Sequence, residues 1–225
     1  MSARYFTPAT FRFLRELGEN NDRPWFEANK DRYEREVKRP ALRFIEDFES
    51  DLAAISPRFR AGARSLFRIH RDTRFSGDKS PYKTHVGLQF RHEARGQDVH
   101  APGFYLHVEP GRCGIGCGIW RPDSRSLLRI REAIVEDPAK WKRAKGARDF
   151  RNRFELGGES LKTAPRGFDA QHPLIEDLRR KDFVGWARLS QRTVTGPAFL
   201  GEFAAFCRAA GPLQRWLCDA LGIPF

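Results

Sequence analysis

The chain has 225 residues, 40% of them hydrophobic with 19 Phe and 5 Trp, enough apolar volume for one sizeable core. It holds no 18-residue apolar run and no apolar leader-like start, so neither a spanning helix nor a signal peptide is expected. The formal charge of +12, from 41 basic and 29 acidic residues, predicts attraction to polyanions, phosphorylated metabolites or acidic partners, although excess surface charge also serves solubility.

In chain order, Thr7-Pro8 reads as an N-cap followed by Pro in the first turn, with Phe11, Leu14 and Leu17 as a short apolar stripe. Asp22-Arg23-Pro24 starts a second helix. Apolar positions keep helical spacing through Tyr33 and Val37, Pro40 restarts or kinks the helix, and it runs on through Phe44, Phe48 and Leu52 to a stop at Ser56-Pro57. The period then changes. Residues 65–71, 86–92, 104–109 and 113–120 alternate as β-strands do, and Pro110-Gly111-Arg112 between the last two reads as a hairpin turn. In 113–119 the larger side chains Cys113, Ile115, Cys117 and Ile119 share one face and glycines the other, which predicts a helix or ligand close to the glycine face. Asp123 and Asp137 read as N-caps of two further helices, and 157–171 as a loop. His172-Pro173 starts a short helix, 183–194 alternates as a last strand, and a final helix follows Pro197 with a break at Gly211-Pro212. Helices, then strands, then helices predict one α+β domain over 1–225: a mainly antiparallel sheet of about five strands with N- and C-terminal helices packed on it.

The densest functional stretch is residues 68–85. Between Arg60 and His85 stand seven Lys/Arg and two Asp, too many charges to bury unpaired, so they either line a solvated cleft or form an internal Arg–Asp network. In an extended chain Arg68, His70, Asp72 and Arg74 fall on one face. Ser76-Gly77-Asp78 has turn composition and Ser80-Pro81 keeps the following residues extended. Arg68, Arg71, Arg74, Lys79 and Lys83 are candidate ligands for a phosphate or carboxylate, arginine as a bidentate donor and lysine as a point charge. Asp72 is a candidate base or arginine orienter, and Tyr82 and His85 are candidate proton donors or acceptors. The structural alternative is that Asp72 neutralises Arg71 or Arg74 and Tyr82 packs against the sheet.

The string Arg68-x-x-Arg71-Asp72-x-Arg74-Phe75-x-x-Asp78-Lys79-x-x-Tyr82 resembles the signature of domain of unknown function family 2461, bacterial proteins of similar length. The block Lys162-Thr163-Ala164-Pro165-Arg166-Gly167-Phe168-Asp169, with His172-Pro173 and Lys181-Asp182-Phe183, resembles that family too. The resemblance implies no activity, but it implies that Arg68, Arg71, Asp72, Arg74, Lys79 and Tyr82 act together. By composition and by that block, Lys162, Arg166, Asp169 and His172 are expected to close over the cleft of residues 68–85.

Other patterns are weaker. His70 and Asp72 have i, i+2 strand spacing, and His85 and His107 could stand on neighbouring strands. No H-E-x-x-H, H-x-H or C-x-x-C occurs, however, and Arg68, Arg71 and Arg74 would repel a cation, so no metal and no cofactor are expected. Cys113, Cys117, Cys207 and Cys218 are too few and scattered for a disulfide framework and read as core thiols of a cytoplasmic protein. The glycines of 111–118 match neither nucleotide-loop pattern. Residues 140–153 carry seven Lys/Arg around Trp141 and Phe150, which reads as a solvated helix face over core aromatics or as a nucleic-acid contact. The expected function is thus a soluble enzyme or binding protein for an anionic small molecule. The alternatives are a nucleic-acid-binding protein and a non-catalytic scaffold or regulatory protein, the last marked by a large exposed apolar patch. No membrane partner is expected.

Overall fold

The computed structural model describes residues 4–74, 77–94 and 100–225. Among these residues, six strands form a single antiparallel sheet: β1 (Phe59–Arg60), β2 (Val86–His92), β3 (Gly103–Val108), β4 (Cys113–Ile119), β5 (Glu155–Gly157) and β6 (Phe183–Leu189), in the order β1-β2-β3-β4-β6-β5. The α+β, mainly antiparallel expectation holds, with six strands rather than about five: the one foreseen at 65–71 is missing and two unforeseen ones are present. The two extra strands, β1 and β5, have two and three residues, too short for any alternation to be visible.

The N-terminal quarter is helical, as its periodicity predicts: α1 (Pro8–Glu19), α2 (Arg23–Ala28), α3 (Lys30–Tyr33) and α4 (Arg39–Ile55). Asp22 caps α2 by accepting from Trp25 N–H at 2.8 Å. Between α3 and α4 a π-helical turn, Glu34–Lys38, takes up the disturbance at Pro40, and Arg39 N–H reaches back five residues to Glu34 O. Pro40 has no N–H to give the Glu36 carbonyl four residues back. The Thr10 hydroxyl of α1 donates to that carbonyl instead, at 2.7 Å, and so ties α1 to the kink. We expect Thr10→Val, which keeps the shape and removes the donor, to cost about 1 kcal/mol in urea unfolding. An unchanged midpoint would show that the kink does not depend on this bond.

After the sheet come α5 (Ser124–Glu136), α6 (Pro138–Gly146), α7 (Arg148–Arg151), α8 (Ile175–Leu178), α9 (Gln191–Val194), α10 (Phe199–Ala209) and α11 (Gly211–Leu221). Asp123 and Asp137 cap α5 and α6 as read, accepting from Ser126 and Lys140 N–H. The last strand ends at Leu189 rather than running to 194, because Ser190 accepts from Thr193 N–H at 3.0 Å and caps α9. Local capping outweighs the alternation there.

Leu88, Phe90, Leu106, Ile115 and Phe183 point from one sheet face into the core, where Phe48 of α4 and Phe203 of α10 meet Phe90 at ring separations of 4.8 and 5.7 Å. The opposite face carries Gly87, Tyr105, His107, Gly114, Gly116 and Trp186. A close approach over its glycines is present, but it is made by an indole of the neighbouring strand and not by a helix or a ligand. A Cβ on Gly114 would stand 2.3 Å from Trp186 Cζ2, and one on Gly116 3.4 Å from the same ring.

Candidate functional site

The strand expected over 65–71 does not form. Pairing so charged a segment inside the sheet would bury its arginines, and instead the chain makes a 3₁₀ turn, Ala63–Ser65, and leaves the sheet. It meets β2 at the bridge Leu66↔Leu88, where Phe67 N–H donates to Gly87 O at 2.9 Å, and then folds back on itself at His70↔Tyr82. Bonds from Arg71 N–H to Pro81 O and from Lys83 N–H to Ile69 O, both 2.8 Å, close this flap. Asn21, at the corner between α1 and α2, clamps it by accepting from Tyr82 N–H and donating to Tyr82 O, each at 3.0 Å. Phe75 and Ser76, and hence part of the predicted turn, lie outside the described residues.

Alternation survives without the strand. Ile69 is buried between exposed Arg68 and His70, Asp72 and Arg74 are exposed as well, and Tyr82, the partner of His70 across the flap, is buried against Phe26. A cleft of about 520 Å³ opens beside the flap, lined by Arg71, Asp78, Ser80, Lys83, Thr84 and His85, together with Tyr82 and the Gly18–Asn21 corner. Four of the eight predicted residues therefore meet: Arg71, Tyr82, Lys83 and His85. The other four do not line it. Asp72 forms an exposed two-pronged pair with Arg74, at 3.0 and 2.7 Å, and that guanidinium holds its carboxyl below the usual range. Lys79 Nζ donates to Thr73 O at 3.0 Å, and Arg68 lends its carbonyl to Lys83 Nζ at 2.6 Å.

Within the cleft, Arg71 holds Asp78 and the Ser80 hydroxyl, and Asp78 is kept strongly acidic first by that guanidinium and then by Ser80. Lys83 lies with its Nζ 5.6 Å from the Phe67 ring centre, and burial, then the Arg68 charge, lowers its pKa. Tyr82 is 3% exposed and stacks on Phe26 of α2 at 4.1 Å, so it packs on a helix rather than on the sheet, and burial raises its pKa. Burial, assisted by His107, pushes His85 down to about 4.

Behind His85 lies a group that the alternation of β3 could have revealed: Tyr105-x-His107-x-Glu109, three polar side chains at i, i+2 spacing. Tyr105 Oη is 3.0 Å from His107 Nδ1, and His107 Nε2 is 3.0 Å from Glu109 Oε2. Thr84 Oγ1 donates to Glu109 Oε1 at 3.3 Å. The His85 and His107 rings lie 4.6 Å apart, and His85, His107 and Glu109 each offer a ligand atom within 4.8 Å of the others. His70 and Asp72 do not join these histidines: His70 is exposed and pairs across the flap with Tyr82, 5.2 Å ring to ring.

Elsewhere, Trp141 and Phe150 are buried beneath α6 and α7, as expected of a solvated face, and Lys140 and Lys145 are paired with Asp219 and Asp177. All four cysteines are buried free thiols, and burial raises the pKa of each. Lys162, Arg166, Asp169 and His172 do not line the cleft; Asp169 and His172 bond to Gln171 and Leu174 N–H within their own loop. The family model described as Conserved hypothetical protein (DUF2461) matches residues 9–216. No curated protein and no solved structure matches the chain.

Proposed function

The chain belongs to the conserved hypothetical protein family DUF2461, and on that premise we propose that it binds a small phosphorylated or carboxylated molecule in the cleft beside the flap. The observation that carries this reading is that Arg71 and Lys83 enter the same cleft as Tyr82 and His85. An ammonium has three donors, and Lys83 spends one on Arg68 O. Arg71 is held in place by Ser80 and by Asp78, whose side chain is 61% exposed. An incoming anion can displace that carboxylate into water at little cost. With no metal ion on its ring, His85 is neutral at pH 7 and serves as the proton acceptor, with the Tyr82 phenol as donor.

A cytoplasmic setting belongs to the same reading, supported by the four free cysteines. Among the described residues, no helix is long and apolar enough to cross a membrane.

The test is a thermal-shift screen of phosphorylated and carboxylated metabolites, with inorganic phosphate as the simplest probe. Lys83→Met keeps the stem over Phe67, so it should leave the unliganded melting point within about 2 °C and abolish the ligand-induced rise. Asp78→Asn should strengthen binding by removing the competing carboxylate. A Lys83→Met protein that is stabilised as much as the parent would overturn the assignment. The nucleic-acid reading through α6 and α7 is less well supported, because two of its lysines are already paired with carboxylates. It requires an affinity that falls steeply with salt and is untouched by Lys83→Met.

A further inference from the structure

We propose that His85, His107 and Glu109 form a binding site for a divalent transition-metal ion, with Zn²⁺ the ion their donor set suits. The proposal goes beyond the anion cleft and stands without it.

The donor atoms lie within 4.8 Å of one another, and the His107 Nε2 to Glu109 Oε2 distance is 3.0 Å. Bonds of about 2.0–2.2 Å to a tetrahedral zinc place neighbouring ligand atoms about 3.3 Å apart, so small side-chain rotations close the set. The support around the ligands is already built. Tyr105 Oη sits on His107 Nδ1 and leaves Nε2 aimed at Glu109, and the Thr84 hydroxyl holds the other carboxylate oxygen. Glu109 is itself fixed by the hairpin turn, where its carbonyl accepts from Arg112 N–H at 3.0 Å and from Cys113 Sγ at 3.3 Å. The Trp186 ring, 6.4 Å from His107 and edge-on to it, covers the apolar side.

A hydrogen-bonded Tyr105–His107–Glu109 chain would satisfy His107 and Glu109 with no ion. It does not account for His85. That imidazole is half-buried against a second imidazole, and no group among the described residues hydrogen-bonds its ring. Two imidazoles tilted 33° to each other, with a ring nitrogen of each and a carboxylate oxygen within 4.8 Å of one another, supply the three donors of a His₂Glu metal set, and such a set leaves a fourth position for water or a ligand. His85 also lines the cleft. Lys83 and Arg112 act on His85 with the same sign as a cation, so they weaken the ion's hold and favour an anion as its fourth ligand.

The experiment is Zn²⁺ titration of chelator-stripped, dialysed full-length protein, in competition with a chromophoric chelator and without added anion beyond the buffer. We expect saturation at one Zn²⁺ per chain. His85→Ala and Glu109→Gln should each weaken binding at least tenfold, and Tyr105→Phe, which removes only the hydroxyl bonded to His107 Nδ1, about tenfold. His70→Ala and His172→Ala should leave the affinity unchanged. His85→Ala is the decisive variant, since it removes no hydrogen bond and should melt with the parent. Absence of one-to-one saturation, or parental affinity in His85→Ala and Glu109→Gln, would overturn the proposal. So would an equal loss in His70→Ala, which would mark surface chelation.

Discussion

Gly118→Ala is expected to destabilise the protein by about 3–5 kcal/mol, the largest effect of any Gly→Ala change among the described residues. Gly118 has φ +101°, a conformation that side chains rarely adopt, and its Cβ would lie 2.0 Å from Phe183 O. Strain of that kind costs about 1–3 kcal/mol, and overpacking a similar amount. The obstacle is backbone, so no rotamer change relieves it, and the β4–β6 pair must separate near Gly118↔Val184. For a chain of this size the loss corresponds to a melting point roughly 10 °C lower. It should also reach the site, because β6 carries Trp186 over Gly114 and beside His107. A variant melting within 3 °C of the parent would mean that β4 and β6 are not paired in this register.

Asp182→Ala is expected to cost about 3 kcal/mol. Asp182 is 2% exposed, and its two oxygens accept from Arg121 N–H at 2.6 Å and Glu159 N–H at 2.9 Å. Truncation leaves both donors without their acceptor, and bonds to a charged group are worth about 1.5–3 kcal/mol each before water replaces part of them. The same carboxylate stabilises two unusual backbone positions. Arg121 has φ +49°, and Gly158 has φ +105° with a hypothetical Cβ only 2.4 Å from Asp182 Cβ. Asp182→Asn keeps one acceptor oxygen and should lose about half as much. If Asp182→Ala unfolds in urea within 1 kcal/mol of the parent, the clamp is not formed.

Asp182 also illustrates what could and could not be read in the sequence. It stands in a block that resembles the family, yet nothing in that string says that its role is to hold two loop N–H groups. Caps and periodic helices were legible because their causes are local: Asp22, Asp123 and Asp137 each bond an N–H three residues on. The central strands were legible because each buries one face. The path of 65–71 was not, since alternation there marks which side chains point inward and not whether a neighbouring strand pairs with them. The cleft was half legible for the same reason. Arg71 and Lys83 could be picked out by charge density, but only the flap's return at His70↔Tyr82 decides that Arg71 faces in while Arg68 and Arg74 face out. Glu109 escaped notice beside a hairpin turn, although its i, i+2 relation to Tyr105 and His107 was visible.

The most direct test of the cleft as the functional site is an electron-density map of crystals grown with phosphate. An anion is expected within hydrogen-bonding distance of Lys83 Nζ and the Arg71 guanidinium, with Asp78 turned aside. Anion density confined to the α6–α7 surface, with the Arg71–Asp78 pair intact and the cleft holding only water, would contradict it.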